Sequence, residues 1–235
     1  MLSIALVSIL GATADTAPRL GSARWLELGA VAVAAALDAP VERQVRAHPS
    51  RGRGAWVRAG NAAGAGRTVL PLLAGAEALG WAAGWASWRR AVEGMLLAYA
   101  LGDGMASVGK PLVGRHRPGD GGSPWRFRPG TLRGDAWHSL PSGHAMHAFA
   151  LAGALASAWP RPAVRGVALG TAVWVSLARV FAEAHWTSDV VASGLAGWAV
   201  GRVGARARAR LGEGWGLAIA PGTVAVVRRF GGVAP

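Results

Sequence analysis

The sequence predicts an all-α protein whose six helices form a transmembrane bundle. Of its 235 residues, 52% are hydrophobic and only 16% are charged, and the mean hydropathy is +0.30. These values are high for a soluble protein. Several runs rich in alanine, glycine, valine, leucine and tryptophan approach the ~20 residues needed to cross the core of a bilayer. A soluble domain of this size could not bury all of these runs, so a membrane bundle is favoured.

Six apolar segments carry this prediction. We expect helices near Trp25–Leu37, Thr68–Trp85, Ala91–Val108, His144–Trp159, Val164–Phe181 and Val190–Val203. Three of the last five contain glycines four residues apart, a spacing that lets helices approach closely: Gly80/Gly84, Gly166/Gly170 and Gly197/Gly201. A compositional bias toward alanine and glycine explains the same pattern equally well.

The segments between and beyond the helices are basic and rich in turn residues. The stretch Glu42–Arg67 holds six arginines, and Pro49–Gly54 is expected to be a loop. The Pro111–Leu140 stretch combines prolines, glycines and cations, which predicts a loop at the entrance of a binding site for an anionic ligand. After the sixth helix, two short β-prone runs flank Pro221-Gly222 and predict a small hairpin.

This pattern divides the chain into three parts. Residues 1–20 form a leader, 21–205 the six-helix domain, and 206–235 a basic tail that carries the hairpin. The leader has an apolar run and small residues like those of a signal cleavage site, but no basic n-region. A signal peptide and an uncleaved leader both remain open.

The net charge of +13 comes from 24 arginines and one lysine against 12 acids. These cations fall mostly in short breaks between apolar runs, which is typical of contact with anionic lipid headgroups rather than with nucleic acid. The chain has no cysteine, which excludes disulfides, thiolate nucleophiles and cysteine-ligated metals.

A histidine and an aspartate near the start of the sixth helix are the strongest candidates for chemistry. On a helix, the spacing of His185 and Asp189 would place both side chains on one face, where a carboxylate can orient an imidazole and make it more basic. Arg179, six residues earlier, is a permanent planar cation suited to phosphate oxygens. Together they predict an oxyanion site with a reactive histidine.

Two further clusters precede this one. Lys110, the only lysine, is followed by Arg117 seven residues later. Pro141-Ser142-Gly143-His144 opens an apolar helix, where serine can cap, glycine allows close approach of an anion, and His144 could donate a proton.

Each cluster also has a plain interpretation. Lys110 and Arg117 could belong to a solvated basic loop, and His144 could follow an ordinary N-cap. For Arg115 and His116 we favour the solvated loop, and we expect Asp103 to pair with Lys110 two helical turns away.

In combination, the clusters resemble the motifs of the type 2 phosphatidic acid phosphatase superfamily: Lys-x6-Arg-Pro, then Pro-Ser-Gly-His, then Ser-Arg-x5-His-x3-Asp. The sequence supplies them in order, from Lys110 to Asp189. It departs at Ala178, where the family usually has serine, and so loses a hydroxyl but no charge. The six-helix pattern extends the similarity from about Trp25 to Val203.

The resemblance implies a role for each matching residue and a six-helix fold shared with vanadate-dependent haloperoxidases. His185 would attack phosphorus to give a phosphohistidine, Asp189 would orient it, and His144 would protonate the leaving group. The phosphate oxygens would be held by Lys110, Arg117, Ser142, Gly143 and Arg179. Since three fixed cations can neutralise the transferring phosphoryl group, no metal or cofactor is implied.

The expected function is a metal-independent lipid phosphatase that acts on an amphiphile in the bilayer. The alternatives are a vanadate-dependent haloperoxidase or a soluble acid phosphatase of the same superfamily, and a non-catalytic protein that binds anionic lipids. We expect a multi-pass protein of the bacterial inner membrane. The arginines opposite the site would place it toward the periplasm or outside, although those of Glu42–Arg67 argue against this orientation.

Overall fold

The computed structural model describes residues 22–52, 54–211, 215–220 and 223–228. Its helices are α1 Ser22–Ala47, α2 Pro49–Gly52, α3 Ala55–Ala63, α4 Gly66–Ala82, α5 Ala86–Val113, α6 Gly143–Ala158, α7 Pro162–Phe181 and α8 Thr187–Arg210. Short 3-10 turns occur at Pro118–Asp120 and Asp135–Trp137. Strands β1 Trp215–Ala220 and β2 Thr223–Arg228 pair in antiparallel register. The predicted helical class is confirmed.

The six predicted helices correspond to α1 and α4 to α8. Most are longer than expected, and α8 runs to Arg210, past the predicted domain boundary after residue 205. Both the predicted leader at residues 1–20 and the hairpin turn at Pro221-Gly222 lie outside the described residues. Within the described part of the chain, one helix, α7, has the length and the mean hydropathy, 1.4, to cross a membrane.

The loop predicted at Pro49–Gly54 is wrong in part, and two short helices occupy this region. Pro49–Gly52 forms α2, and α3 follows it directly. The helix α3 packs against α7, and its residues Val57 and Gly60 are buried there. This tertiary contact stabilises a nine-residue helix that contains a glycine and is too short to be stable alone.

Helix α8 lies at the centre of the bundle, against α1, α5 and α6. Small residues make this arrangement possible, since a Cβ atom at Gly197 or Gly201 would collide with main-chain carbonyl oxygens of Met146 and Ala150 in α6. The close approach predicted for this pair is therefore confirmed. At Gly166 and Gly170 a Cβ atom would meet nothing within 4 Å, so the same spacing there serves no helix contact.

The helix order brings the ends of α5 and α7 and the starts of α6 and α8 to one end of the bundle. The opposite end carries the buried ion pair of Arg208 with Glu93. Arg208, predicted to be a topological charge at the membrane surface, therefore belongs to the core of the bundle.

Candidate active site

The C-terminus of α5 sets the position of Lys110. This residue lies in the last turn, and its carbonyl oxygen accepts a hydrogen bond of 2.9 Å from the N–H of Gly114. Gly114 has a φ of +58°, a left-handed conformation that suits glycine at a helix end. A Cβ atom here would also collide with the carbonyl oxygen of Arg128, so glycine is required on both counts. The turn directs the chain into the loop that holds Arg117.

The N-terminus of α6 lies beside Lys110. Ser142 is the N-cap residue, and Gly143 is the first residue of the helix. An ideal Cβ atom on Gly143 would lie 4.0 Å from the Lys110 Nζ atom, which places the ammonium group next to the free N–H groups of this helix. The Ser142 Oγ atom is buried and has no hydrogen-bond partner among the described residues. These donors form one group that can bind an anion.

Asn61 of α3 joins the second histidine to the third cation. The His144 Nε2–H donates to the main-chain oxygen of Asn61 at 3.2 Å. The Arg179 Nη1 atom donates to the Asn61 side-chain oxygen at 2.8 Å, while its buried Nε–H has no partner among the described residues. One residue thus positions both functional groups. Asn61 was not predicted as a site residue, because it lies in an arginine-rich stretch that is typical of a connection between helices.

Arg117 reaches the same end of the bundle from the loop after α5. Its Nη2 and Nε atoms donate to the side chain and main chain of Asp135 at 2.7 and 2.8 Å. The Nη1 atom donates to the carbonyl oxygen of Ala184 at 3.2 Å, next to His185 in the chain. The guanidinium is therefore fixed beside the turn that carries His185.

His185 is buried in the turn between α7 and α8. Its Nδ1 atom lies 2.5 Å from the carbonyl oxygen of Ser139, which only accepts, so Nδ1 carries the proton and Nε2 keeps its lone pair. Burial lowers the pKa of His185 well below its ordinary value, and Arg179, Arg117 and Lys110 lower it further. The result is a neutral imidazole at neutral pH with a free nucleophilic nitrogen.

The predicted helical stacking of His185 and Asp189 is wrong. His185 lies before α8, whereas Asp189 is in its first turn. One carboxylate oxygen of Asp189 accepts hydrogen bonds from the Trp186 N–H at 3.0 Å and the Ser139 Oγ atom at 2.5 Å. Asp189 therefore contacts His185 through Ser139, whose hydroxyl binds the carboxylate and whose carbonyl binds the imidazole.

A comparison with protein families identifies the superfamily of the chain. The family model of the PAP2 superfamily matches residues 91–213, more than half of the chain. The chain belongs to the PAP2 superfamily. The match contains all eight predicted site residues, and membership in this superfamily supports phosphatase-type activity. No curated protein and no solved structure matched the chain.

Arg115 supplies a part of this PAP2 site that the sequence did not predict. The expected solvated position is wrong, since only 3% of the residue is exposed. Its guanidinium donates to Asp189 at 2.5 Å, to Asp38 at 2.7 Å and to the Ser188 hydroxyl at 2.7 Å. With Ser139, these residues form what we call the carboxylate network: Asp38, Arg115, Ser139, Ser188 and Asp189. The network links Asp38 of α1 and the start of α8 to Ser139, the residue whose carbonyl oxygen binds His185.

Two other expectations for polar residues also fail. Asp103 lies 3.3 Å from the His147 Nε2 atom, so its partner is this histidine rather than Lys110. His116, expected in a solvated loop, is buried with its ring against Trp137. Both cases involve loop or helix packing that residue spacing does not reveal.

An open cavity of about 670 Å³ lies at the end of the bundle that carries the predicted site residues. We call it the site cavity, and it is lined by Arg58, Asn61, Ala62, Ala65, Gly66, Arg67, His144 and Arg179. Apart from the titratable His144, its charged lining residues are all cationic. This lining suits an anionic ligand. Gly64 makes room for the imidazole, because a Cβ atom there would lie 2.8 Å from a ring carbon of His144.

Proposed function

We propose that this protein is a membrane lipid phosphatase that hydrolyses a phosphomonoester or diphosphate through a phosphohistidine. The observation that carries the proposal is the state of His185: buried, with Nδ1–H fixed by Ser139 and Nε2 free, beside the charges of Lys110, Arg117 and Arg179. A phosphate anion is the ligand that such a set of cations and a nucleophile best accommodates.

In the first step, the Nε2 atom of His185 attacks phosphorus and the bond from phosphorus to the leaving oxygen breaks. His144, in its imidazolium form, gives a proton to that oxygen and becomes neutral. In the second step, His144 takes a proton from water, whose oxygen displaces His185 and releases inorganic phosphate. Lys110, Arg117 and Arg179 neutralise the charge on the equatorial oxygens, with the Ser142 hydroxyl and the Gly143 N–H as further donors.

Surfaces that a soluble monomer rarely carries support the proposed membrane location. Large apolar side chains are exposed on several helices, among them Trp25, Leu26, Leu72, Trp81 and Val167. The apolar helix α7 adds to this pattern. We propose a multi-pass bundle in a bacterial inner membrane, with the active-site end toward the periplasm or outside. The substrate would be a lipid of the phosphatidic acid, phosphatidylglycerophosphate, undecaprenyl diphosphate or lipid A class.

The test is phosphate release by the detergent-solubilised protein from these four lipids and from p-nitrophenyl phosphate, with and without excess EDTA. We expect release from at least one lipid, undiminished by EDTA, because three cations replace a metal at the transferring phosphoryl group. The variant His185→Ala should be inactive, and His48→Ala, which alters an exposed histidine that is not a predicted site residue, should remain active.

Loss of activity on chelation with recovery on adding Mg²⁺ would contradict the metal-independent mechanism. If all lipids were inert but p-nitrophenyl phosphate were cleaved, the lipid class would be wrong while the phosphatase assignment would stand. Binding of all five compounds without release would favour the non-catalytic alternative.

A further inference from the structure

We propose that the end of the bundle opposite the active site binds an intact anionic phospholipid, with its phosphate among three arginines and one acyl chain in an adjoining apolar groove. This inference rests on the proposed membrane location but concerns a different site. The ligand would be a bound component of the folded protein rather than a substrate.

The headgroup site is a cavity of about 420 Å³, which we call the arginine pocket. It lies where the end of α6, the start of α7 and the later part of α8 meet, and its lining residues are Ala156, Ser157, Pro160, Arg161, Pro162, Arg165, Trp198 and Arg202. None of these residues is acidic. Among the described residues, no carboxylate pairs with any of the three guanidinium groups, and residues 211–235 contain a single acidic side chain, Glu213.

The three guanidinium groups belong to exposed residues, and together they create a positive potential at this pocket that favours a bound anion. Arg161 and Arg165 are four residues apart on one helical face, a spacing at which like charges are destabilising. Arg161 is also the N-cap residue of α7, so the free N–H groups of the first turn add to the positive potential. The Arg165 guanidinium lies 5.6 Å from the ring centroid of Trp198, which fixes it within the pocket. A phosphate would relieve this repulsion.

The acyl chain site is a groove of about 470 Å³, which we call the apolar groove. Its walls are side chains of α7 and α8, with contributions from α1 and α6, and they include Leu169, Val173, Leu177, Val191 and Leu195. Val173 and Leu177 are each 46% exposed, so the groove is open along α7. Trp198 lines both the apolar groove and the arginine pocket. A single amphiphilic ligand could therefore occupy both.

The arginine pocket is separate from the active site, and the apolar groove extends from it to Phe181 and Thr187, beside the turn that holds His185. Arg165 and Arg179 are both on α7, and the residues between them correspond to roughly 21 Å of helix. Arg179 is the one residue of α7 that lines the site cavity. The apolar groove is lined by other residues of the same part of α7: Ser176, Leu177, Val180 and Phe181. A lipid in the groove thus leaves the site cavity open to substrate.

The experiment measures lipid binding by native mass spectrometry of the detergent-solubilised protein. The probe is dioleoyl phosphatidylglycerol, a phosphodiester that a phosphomonoesterase does not cleave, so binding can be measured whether or not the proposed phosphatase activity is correct. The double variant Arg161→Gln/Arg165→Gln is compared with the control Arg206→Gln/Arg210→Gln. Both remove two positive charges, and the control residues are exposed at the end of α8.

We expect the Arg161→Gln/Arg165→Gln protein to bind the lipid about tenfold more weakly or worse, and the control to be unchanged. Dioleoyl phosphatidylcholine and the deacylated glycerophosphoglycerol should bind the wild type more weakly than the probe. The Leu177→Gln variant should weaken binding of the probe but not of glycerophosphoglycerol. If the double variant fails to fold, Leu177→Gln tests the proposal in its place.

Equal losses in both double variants would show only a general effect of charge and would overturn the proposal. Unchanged binding in Arg161→Gln/Arg165→Gln would do the same. Equal binding of glycerophosphoglycerol and the intact lipid would show that the apolar groove does not bind an acyl chain.

Discussion

Arg115 contacts both buried carboxylates of the carboxylate network and is the residue on which the network most depends. In Arg115→Met, Asp38 and Asp189 would keep their burial but lose their shared cation. Breaking a buried ion pair in this way costs about 3–5 kcal/mol. We expect a large decrease in the free energy of unfolding, measured by denaturation in detergent.

The matched control for Arg115 is Arg133→Met in the same loop, at an exposed position. Its unfolding should resemble that of the wild type. Similar losses in the two variants would mean that the network does not stabilise the fold as described.

His185 should make stability depend on pH. Its folded pKa lies below the ordinary value of 6.5, so the unfolded chain binds the proton more readily. The stabilising contribution is therefore complete above about pH 6.5 and is lost as pH falls below it, at up to ~1.4 kcal/mol per pH unit. We expect the unfolding midpoint, measured without phosphate at pH 7.5 and 5.5, to fall less in His185→Gln than in the wild type. An identical fall in both would contradict the buried neutral state of this histidine.

At the residue scale, the sequence predicts the groups within each short motif but not what holds them. Lys110, Arg117, Ser142, His144, Arg179 and His185 could be proposed because their motifs are local and ordered. The ion pairs of Arg115 join residues 74 and 77 positions apart, and no local pattern indicates them. Asp38 offered the one available signal, since a carboxylate at the end of an apolar run usually has a partner.

At the scale of the elements, the glycines of α8 set how closely it packs on α6. In Gly201→Ala, the new Cβ atom would collide with the main-chain oxygen of Ala150, which cannot move without shifting its helix. Overpacking of this kind costs about 1–3 kcal/mol. We expect a lower unfolding midpoint in detergent.

The control is Gly166→Ala on α7, where the surrounding space is open. Alanine favours helix by about 1 kcal/mol over glycine, so this variant should equal or exceed the wild type in stability. The opposite ranking of the two variants would contradict the described packing of α8.

The helices were predictable because apolar composition persists over many residues, whereas α3 was not. Its nine residues include an arginine and a glycine, and its helical conformation depends on the contact with α7. Short helices in water are marginal without such packing. The missed helix also carries Asn61, so an error at the level of an element concealed part of the site.

At the scale of the whole molecule, the helix order accounts for the site. Successive helices that reverse direction bring the ends of α5 and α7 to the starts of α6 and α8, so residues from Lys110 to Asp189 meet at one end. The opposite end has its own charge pattern, in which Arg208 is paired in the core and Arg161, Arg165 and Arg202 surround a pocket. Orientation arguments based on counting arginines should therefore exclude Arg208.

The central claim is that His185 becomes covalently phosphorylated during turnover. The most direct measurement is mass spectrometry of the peptide that contains His185, after a substrate-turnover reaction is stopped under alkaline conditions that preserve phosphohistidine. We predict an acid-labile phosphate on His185 in the wild type. With p-nitrophenyl phosphate, whose leaving group needs no proton, we predict a larger amount in His144→Ala, because only the base-catalysed hydrolysis of the intermediate is then slowed. The His185→Ala protein should carry none and release no phosphate. Continued turnover without any phosphate on His185, or substantial phosphate release by His185→Ala, would contradict this account.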